Sequence, residues 1–208
     1  MNERLVERTL RAFSDDLASS APVPGGGSAA AYAGAMGAAL VAMVGRIAER
    51  KETSEPTTAL IADADNLRAD FIRLVDDDSA AYAGVSDAIK MPKASDDDKR
   101  ARTERLQAAL LAASRVPLEV AKTSRRLLDL CERTVDRAAT ATVSDVGVAA
   151  FLAETALRGA ALNVMTNLAS VKDAAQVKAL SEDLDRAVDG ADAQRKRITD
   201  FVESRIAR

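Results

Sequence analysis

Residues 60–90 read LIADADNLRADFIRLVDDDSAAYAGVSDAIK, and their spacing decides the fold. Leu60, Ala64, Leu67, Phe71, Leu74, Asp78, Tyr82, Val85 and Ile89 recur at intervals of three and four. That is the repeat of one face of an α-helix, where 3.6 residues complete a turn. Pro56 suits the first turn of this helix, where its missing N–H is not needed. The spacing therefore predicts a long helix from about Pro56 to Lys90. One member of its apolar stripe, Asp78, is a carboxylate.

The same periodicity extends in both directions. Upstream, a helix is predicted over 3–17, then the turn SSAPVPGGGS (19–28) with two prolines and three glycines. Ser28 is a candidate N-cap for an Ala/Gly-rich helix reaching about Arg50. Downstream, MPKASDDD (91–98) breaks the pattern, with Pro92 as terminator and Ser95 or Asp96 as the next cap. A fourth helix follows to about Arg137 on the stripe Leu106, Leu110, Ala113, Pro117, Val120, Ser124, Leu127, Cys131, Val135, with a kink expected at Pro117. A fifth is expected over 144–171. Its only charges between Val146 and Val171 are Glu154 and Arg158, so it reads as central and buried. A sixth, amphipathic helix is expected over 174–207. No sustained period-2 run suggests a strand. The expected fold is all-α: a single domain (1–208) forming an antiparallel bundle of five to six long helices, two central ones rich in Ala and Gly.

Composition narrows the chemistry. The 208 residues include no His and one Cys, and the formal net charge is −3 with both signs interspersed. No imidazole base, His metal ligand, intrachain disulfide or CxxC site is available. Nor is there the basic footprint of a nucleic-acid binder. Cys131, on an apolar stripe, reads as buried filler. The stretch 19–45 is uncharged, but its apolar part, Ala29–Gly45, is at the short end for a membrane span and is dominated by Ala and Gly, so a soluble bundle is expected. MNERLVERTLRAF lacks the apolar core of an export signal, which makes the cytoplasm the expected location. Catalysis, if present, falls to carboxylates, Lys, Tyr, Ser, amides, backbone groups or a bound cofactor.

Several residues break the rules of a plain bundle. Asp78 lies on the apolar stripe, where an unpaired charge costs several kcal/mol. It is either a helix-to-helix bond partner or a carboxylate in a cleft. Asn163 and Asn167 lie one turn apart on an otherwise apolar helix; they either bond each other or the backbone, or present amides to a flat heterocycle. The PVPGGGS turn is either a flexible connector or a site where a ligand meets bare N–H groups at a helix start. Lys93 follows Met-Pro, and Ser144–Asp145 opens the fifth helix, where an acid also complements the helix dipole.

In order, PVPGGGS, DDDSAAY, MPK, ARTERLQAALLAASRVPLEVA, VSDVGVAA and ALNVMTNLASVKD resemble the folate cyclodeaminase/cyclohydrolase family over almost the whole chain. The resemblance implies a helical bundle, a homodimer, and a tetrahydrofolate derivative bound in a cleft, with no metal or further cofactor. The positions matching the family pattern are Pro24, Gly25, Gly26, Gly27, Ser28, Asp78, Pro92, Lys93, Ser144, Asp145, Asn163, Asn167 and Asp173. Asp78, Lys93 and Asp145 are the expected catalytic groups; the turn residues, Ser144, the two asparagines and Asp173 are expected to bind substrate. Two reactions fit: hydrolysis of 5,10-methenyltetrahydrofolate to the 10-formyl form, or cyclodeamination of the 5-formimino form with loss of ammonia. The absence of an attached formiminotransferase segment leans the expectation towards hydrolysis. A non-catalytic helical scaffold is the alternative from another class, while a di-iron bundle is excluded by the lack of His.

Overall fold

The computed structural model describes residues 4–50 and 54–207. Glu3, the expected start of the first helix, lies outside them. Among the described residues there is no strand, and the α-helices are α1 (Leu10–Leu17), α2 (Gly26–Glu49), α3 (Glu55–Lys90), α4 (Asp96–Val135), α5 (Val143–Leu168), α6 (Ala174–Val188) and α7 (Ala191–Ile206). Short 3-10 turns at Leu5–Glu7 and Thr140–Thr142 precede α1 and α5. The all-α bundle with six long helices is as the periodicity predicts.

Helices α2 to α5 form the antiparallel centre. Gly34 of α2 faces Phe71 of α3, and Gly45 faces Leu60 and Ile61. On its other side α2 meets α5, with Ala30 beside Gly159 and Gly37 beside the Ala149 carbonyl. The two Ala/Gly-rich helices therefore approach closely, as small side chains permit. Phe71, Leu118, Leu127, Leu128 and Leu157 are among the fully buried side chains. Burying each such side chain contributes about 1.5–3 kcal/mol. Cys131 is buried there, and desolvation holds its thiol protonated far above the ordinary range.

Four local expectations are corrected. The 3–17 helix splits, because a 3-10 turn ends at Arg8 before Thr9 caps α1. Ser28 is not an N-cap: α2 begins at Gly26 behind Gly25, so Ser28 sits inside the first turn. The last helix breaks at Gly190, whose φ of +66° is a left-handed conformation that favours glycine. Finally, α5 is not buried on every side, since Val148, Phe151, Leu162 and Met165 are exposed. By contrast, Ser95 caps α4 in a full capping box with Asp98.

Candidate functional site

The antiparallel pairing of α2 and α3 puts the start of α2 level with Asp78. Beyond that level α2 has ended, while α3 runs on for twelve residues to Lys90, about 18 Å at 1.5 Å per residue. This leaves a notch at the N-terminus of α2. Gly26 is exposed at its floor, with Asp78 on the α3 side and Asn163 on the α5 side.

Asp78 is partly buried, and its carboxylate lies against the first turn of α2. Oδ2 accepts a hydrogen bond from the Ser28 hydroxyl at 2.9 Å, and the Ser28 backbone N–H also bonds the carboxylate. The Ser28 hydroxyl further approaches the Val75 carbonyl at 3.1 Å and the Ser79 hydroxyl at 3.4 Å. Burial pushes the Asp78 carboxyl above the usual carboxylate range, and the two Ser28 hydrogen bonds offset part of that. Gly27 makes the approach feasible, because a Cβ there would overlap the carboxylate. The middle glycine of the turn thus gives room to a neighbouring side chain.

The other expected residues divide by position. Asn163 lies beside Gly26, with its amide donating to the Gly159 carbonyl at 2.9 Å. Asn167, a turn further, ties α5 to α4 through Nδ2 and the Ala113 carbonyl at 2.8 Å. In both, Oδ1 is left to accept from a ligand. Pro24, Gly27 and Ser28 are buried; Gly25 and Gly26 carry the accessible backbone of the turn. Asp173 caps α6, accepting from the N–H groups of Ala175 and Gln176. Lys93 is exposed beyond Pro92, three residues past the end of α3. Ser144 and Asp145 sit in the first turn of α5, eighteen residues before Asn163, or about 27 Å along the axis. The fold therefore gathers the glycine turn, Asp78 and Asn163 within one chain, and leaves Lys93 and Ser144–Asp145 apart from them. The neighbouring Asp76 accepts from the Leu5 N–H at 2.9 Å and Arg4 Nε at 2.8 Å, whereas Asp77 pairs with Arg73 at 2.5 Å.

Two residues at the notch escaped the sequence reading. Ser79 joins the Ser28 cluster. Tyr82, one turn beyond Asp78, is 44% exposed although it belongs to the apolar stripe. The start of α2 at Gly26, matched against an antiparallel α3, was the signal: stripe residues past Asp78 have no α2 to cover them.

Donor chemistry at the notch is one carboxylate, hydroxyls, amides and backbone N–H groups. No group of three or more Asp, Glu, Cys or His side chains able to hold a metal occurs among the described residues. A carboxylate of raised proton affinity at a small opening suits proton transfer to or from a bound molecule, and its charged form suits a cationic one.

The chain was compared with known proteins. Residues 9–186 match the family model described as formiminotransferase-cyclodeaminase. A methenyltetrahydrofolate cyclohydrolase of Methylorubrum extorquens is 37% identical over 95% of this chain and 97% of its own length. The formimidoyltransferase-cyclodeaminase of Sus scrofa is 34% identical over 99% of this chain, which spans 39% of that longer protein. The rat counterpart is 34% identical over 82% of this chain and 32% of its own length. Among solved structures, the formiminotetrahydrofolate cyclodeaminase of Thermotoga maritima superposes with a TM-score of 0.85 at 26% identity, covering 96% of this chain and 98% of that one. The chain belongs to the formiminotransferase-cyclodeaminase family.

Proposed function

We propose that the chain is a methenyltetrahydrofolate cyclohydrolase that works as a cytoplasmic homodimer, with Asp78 as its proton-transfer group. The observation that carries the reading is the desolvated Asp78 carboxylate, held by Ser28 beside the exposed Gly26. The match to a cyclohydrolase along nearly the full length of both chains favours this reaction.

The substrate carries a positive amidinium at the carbon between N5 and N10. In this reading the Asp78 carboxylate offsets that charge and accepts a proton from an attacking water. Water oxygen bonds to the bridging carbon, the C–N5 bond breaks, and N5 takes a proton as the ring opens. Water and the methenyl cation thus give 10-formyltetrahydrofolate and one released proton. Gly25 and Gly26 offer backbone N–H groups to the ligand, and the Asn163 and Asn167 oxygens accept from its ring donors. Lys93, Asp145 and Ser144 enter the site only if a second copy or a moving segment brings them there. Asp173 acts indirectly, by fixing the start of α6.

The second reading is cyclodeamination, favoured by the similarity to the Thermotoga enzyme. There N10 attacks the formimino carbon, and the same carboxyl group protonates the departing ammonia. Two assays on purified protein separate the reactions. One follows loss of methenyltetrahydrofolate above its spontaneous rate; the other follows methenyl formation and ammonia release from 5-formiminotetrahydrofolate. Activity in neither assay, with no folate binding by calorimetry, returns the chain to the scaffold reading.

The dimer is supported by the open face of α2 and α5. Met36 on α2, and Val148 and Phe151 on α5, are exposed on two helices that pack antiparallel. Both helices are long and apolar enough to cross a membrane. About two-thirds of the apolar stretch in α2 is buried within the bundle, against 39% of that in the segment 140–168. A second copy covering the shared face accounts for the rest without lipid.

A further inference from the structure

At the far end of α2 from Asp78 lies an open cleft of about 530 Å³ between α2 and α3. Arg46, Arg50 and Arg68 line it with a single acid, Asp65, above an apolar floor that includes Met43 and Ile47. Asp65 accepts from Arg46 Nη2 at 2.5 Å and from Arg68 Nη2 at 3.4 Å, so one carboxylate is shared by two guanidinium groups. The guanidinium of Arg50, one turn beyond Arg46, has no hydrogen-bond or ion-pair partner among the described residues. Glu49 accepts from Thr58 and does not line the cleft.

What sets this place apart is an unpaired cation, since the α4–α6 cleft also carries three cations, Lys122, Arg125 and Arg186, beside one acid, Asp183. In the groove between α3 and α4, Arg126 pairs with Asp70 and Arg133 with Asp63. Between α4 and α6, Lys122 and Arg186 share Asp183, and Arg125 pairs with Asp129. Of these three clefts among the described residues, the α2–α3 one alone joins a sizeable volume to an unpaired cation, in a chain whose net charge is −3. Each guanidinium has five N–H donors, and Asp65 takes one from each of two. The remaining donors belong to side chains that line the cleft.

We infer that the Arg46–Arg50–Arg68 cleft is a binding site for a small polyanion, carrying two or more carboxylate or phosphate charges next to an apolar body. Gly27 and Arg46 are nineteen residues apart on one helix, about 28 Å, so the site is separate from the Asp78 notch of the same chain. It stands whether or not the chain acts on folates. The anion has two sources: the carboxylate tail of a substrate held by another copy, or a free phosphate-bearing molecule.

Calorimetric titration of the full chain at low salt tests this, with p-aminobenzoylglutamate and tripolyphosphate as separate probes. Saturable binding of at least one probe is expected, weakening as salt rises. Arg50→Gln should raise its Kd threefold or more, and the pair Arg46→Gln with Arg68→Gln should raise it tenfold or more. Asp78→Asn should leave it unchanged. Tighter binding of p-aminobenzoylglutamate assigns the carboxylate source; tighter binding of tripolyphosphate assigns the phosphate source. The site is overturned if neither probe saturates, if both arginine variants bind as the parent does, or if Asp78→Asn abolishes binding. Since the Arg50 guanidinium has no partner to lose among the described residues, its variant keeps the test valid even if the double variant melts early.

Discussion

The Ser28 hydroxyl donates to Asp78 Oδ2 at 2.9 Å from a side chain with 0% solvent exposure. A ligand therefore reaches the carboxylate without touching Ser28, whose part is to position and tune it. Ser28→Ala removes one hydrogen bond that holds the carboxyl group down, so the Asp78 proton affinity should rise further. If Asp78 works as the base, the acid limb of the kcat/KM profile should move to higher pH while KM changes little. Deleting a hydrogen bond to a charged group corresponds to about 1.5–3 kcal/mol. An unmoved acid limb would remove Ser28 from the tuning role.

Asp78→Asn separates catalysis from stability. Turnover should fall by about two to four decades, the range for a general acid or base. Stability should move the other way at neutral pH. Burial raises the folded-state proton affinity of Asp78 above its ordinary value. The folded state thus holds more protons than the unfolded one between those two values, and stability falls as pH rises through that window. Thermal melts should find the Asn variant at least as stable as the parent at pH 7. The difference should fade on acidification below the ordinary carboxylate range. A parent that gains stability over the variant on the way to pH 7 would contradict the buried-charge account.

Adjacent glycines should respond oppositely to the same change. A methyl group on Gly27 would overlap the Asp78 carboxylate, whereas one on Gly26 would meet only Asn163 Nδ2 at 3.6 Å, an ordinary contact. Gly27→Ala must expel the carboxylate from the first turn of α2, and cyclohydrolase activity should drop by at least tenfold. Gly26→Ala should keep the fold and gain up to about 1 kcal/mol from better helix propensity. Equal activity in the two variants, measured beside circular dichroism, would show that Asp78 needs no such clearance.

Helix periodicity exposed most of the fold because each long helix keeps one face on a common core. Asp78 stood out for the same reason, as a charge on the Leu60–Ile89 stripe. Pairing offsets between helices were not legible, and they decide what the motif residues do. Ser28 looked like a cap until α2 was found to start at Gly26. Asp173, read as a ligand contact, bonds the α6 backbone. Lys93 and Asp145 look like partners of Asp78 in a list of motifs, yet helix length alone sets them far from it. The arginine cleft was hidden too, since Arg46 and Arg68 sit on different helices and meet only through Asp65.

The open α2–α5 face gives the last test. Val148 is 48% exposed and Phe151 is 52% exposed on α5, and Met36 is 41% exposed on α2. Two isolated copies would leave this apolar stripe in water, while mutual burial gains about 25 cal/mol for each Å² removed. A charge in the middle of the stripe must be desolvated in the dimer but not in the monomer. Val148→Lys combined with Met36→Lys should therefore shift sedimentation equilibrium from dimer to monomer without lowering helix content. Both sites are exposed within one chain, so neither change disturbs the core. If the notch also takes Ser144 and Asp145 from the second copy, kcat/KM should fall with the dimer fraction and recover as protein concentration rises. A variant that stays dimeric places the interface elsewhere, and a monomer of full activity shows that one chain holds the complete site.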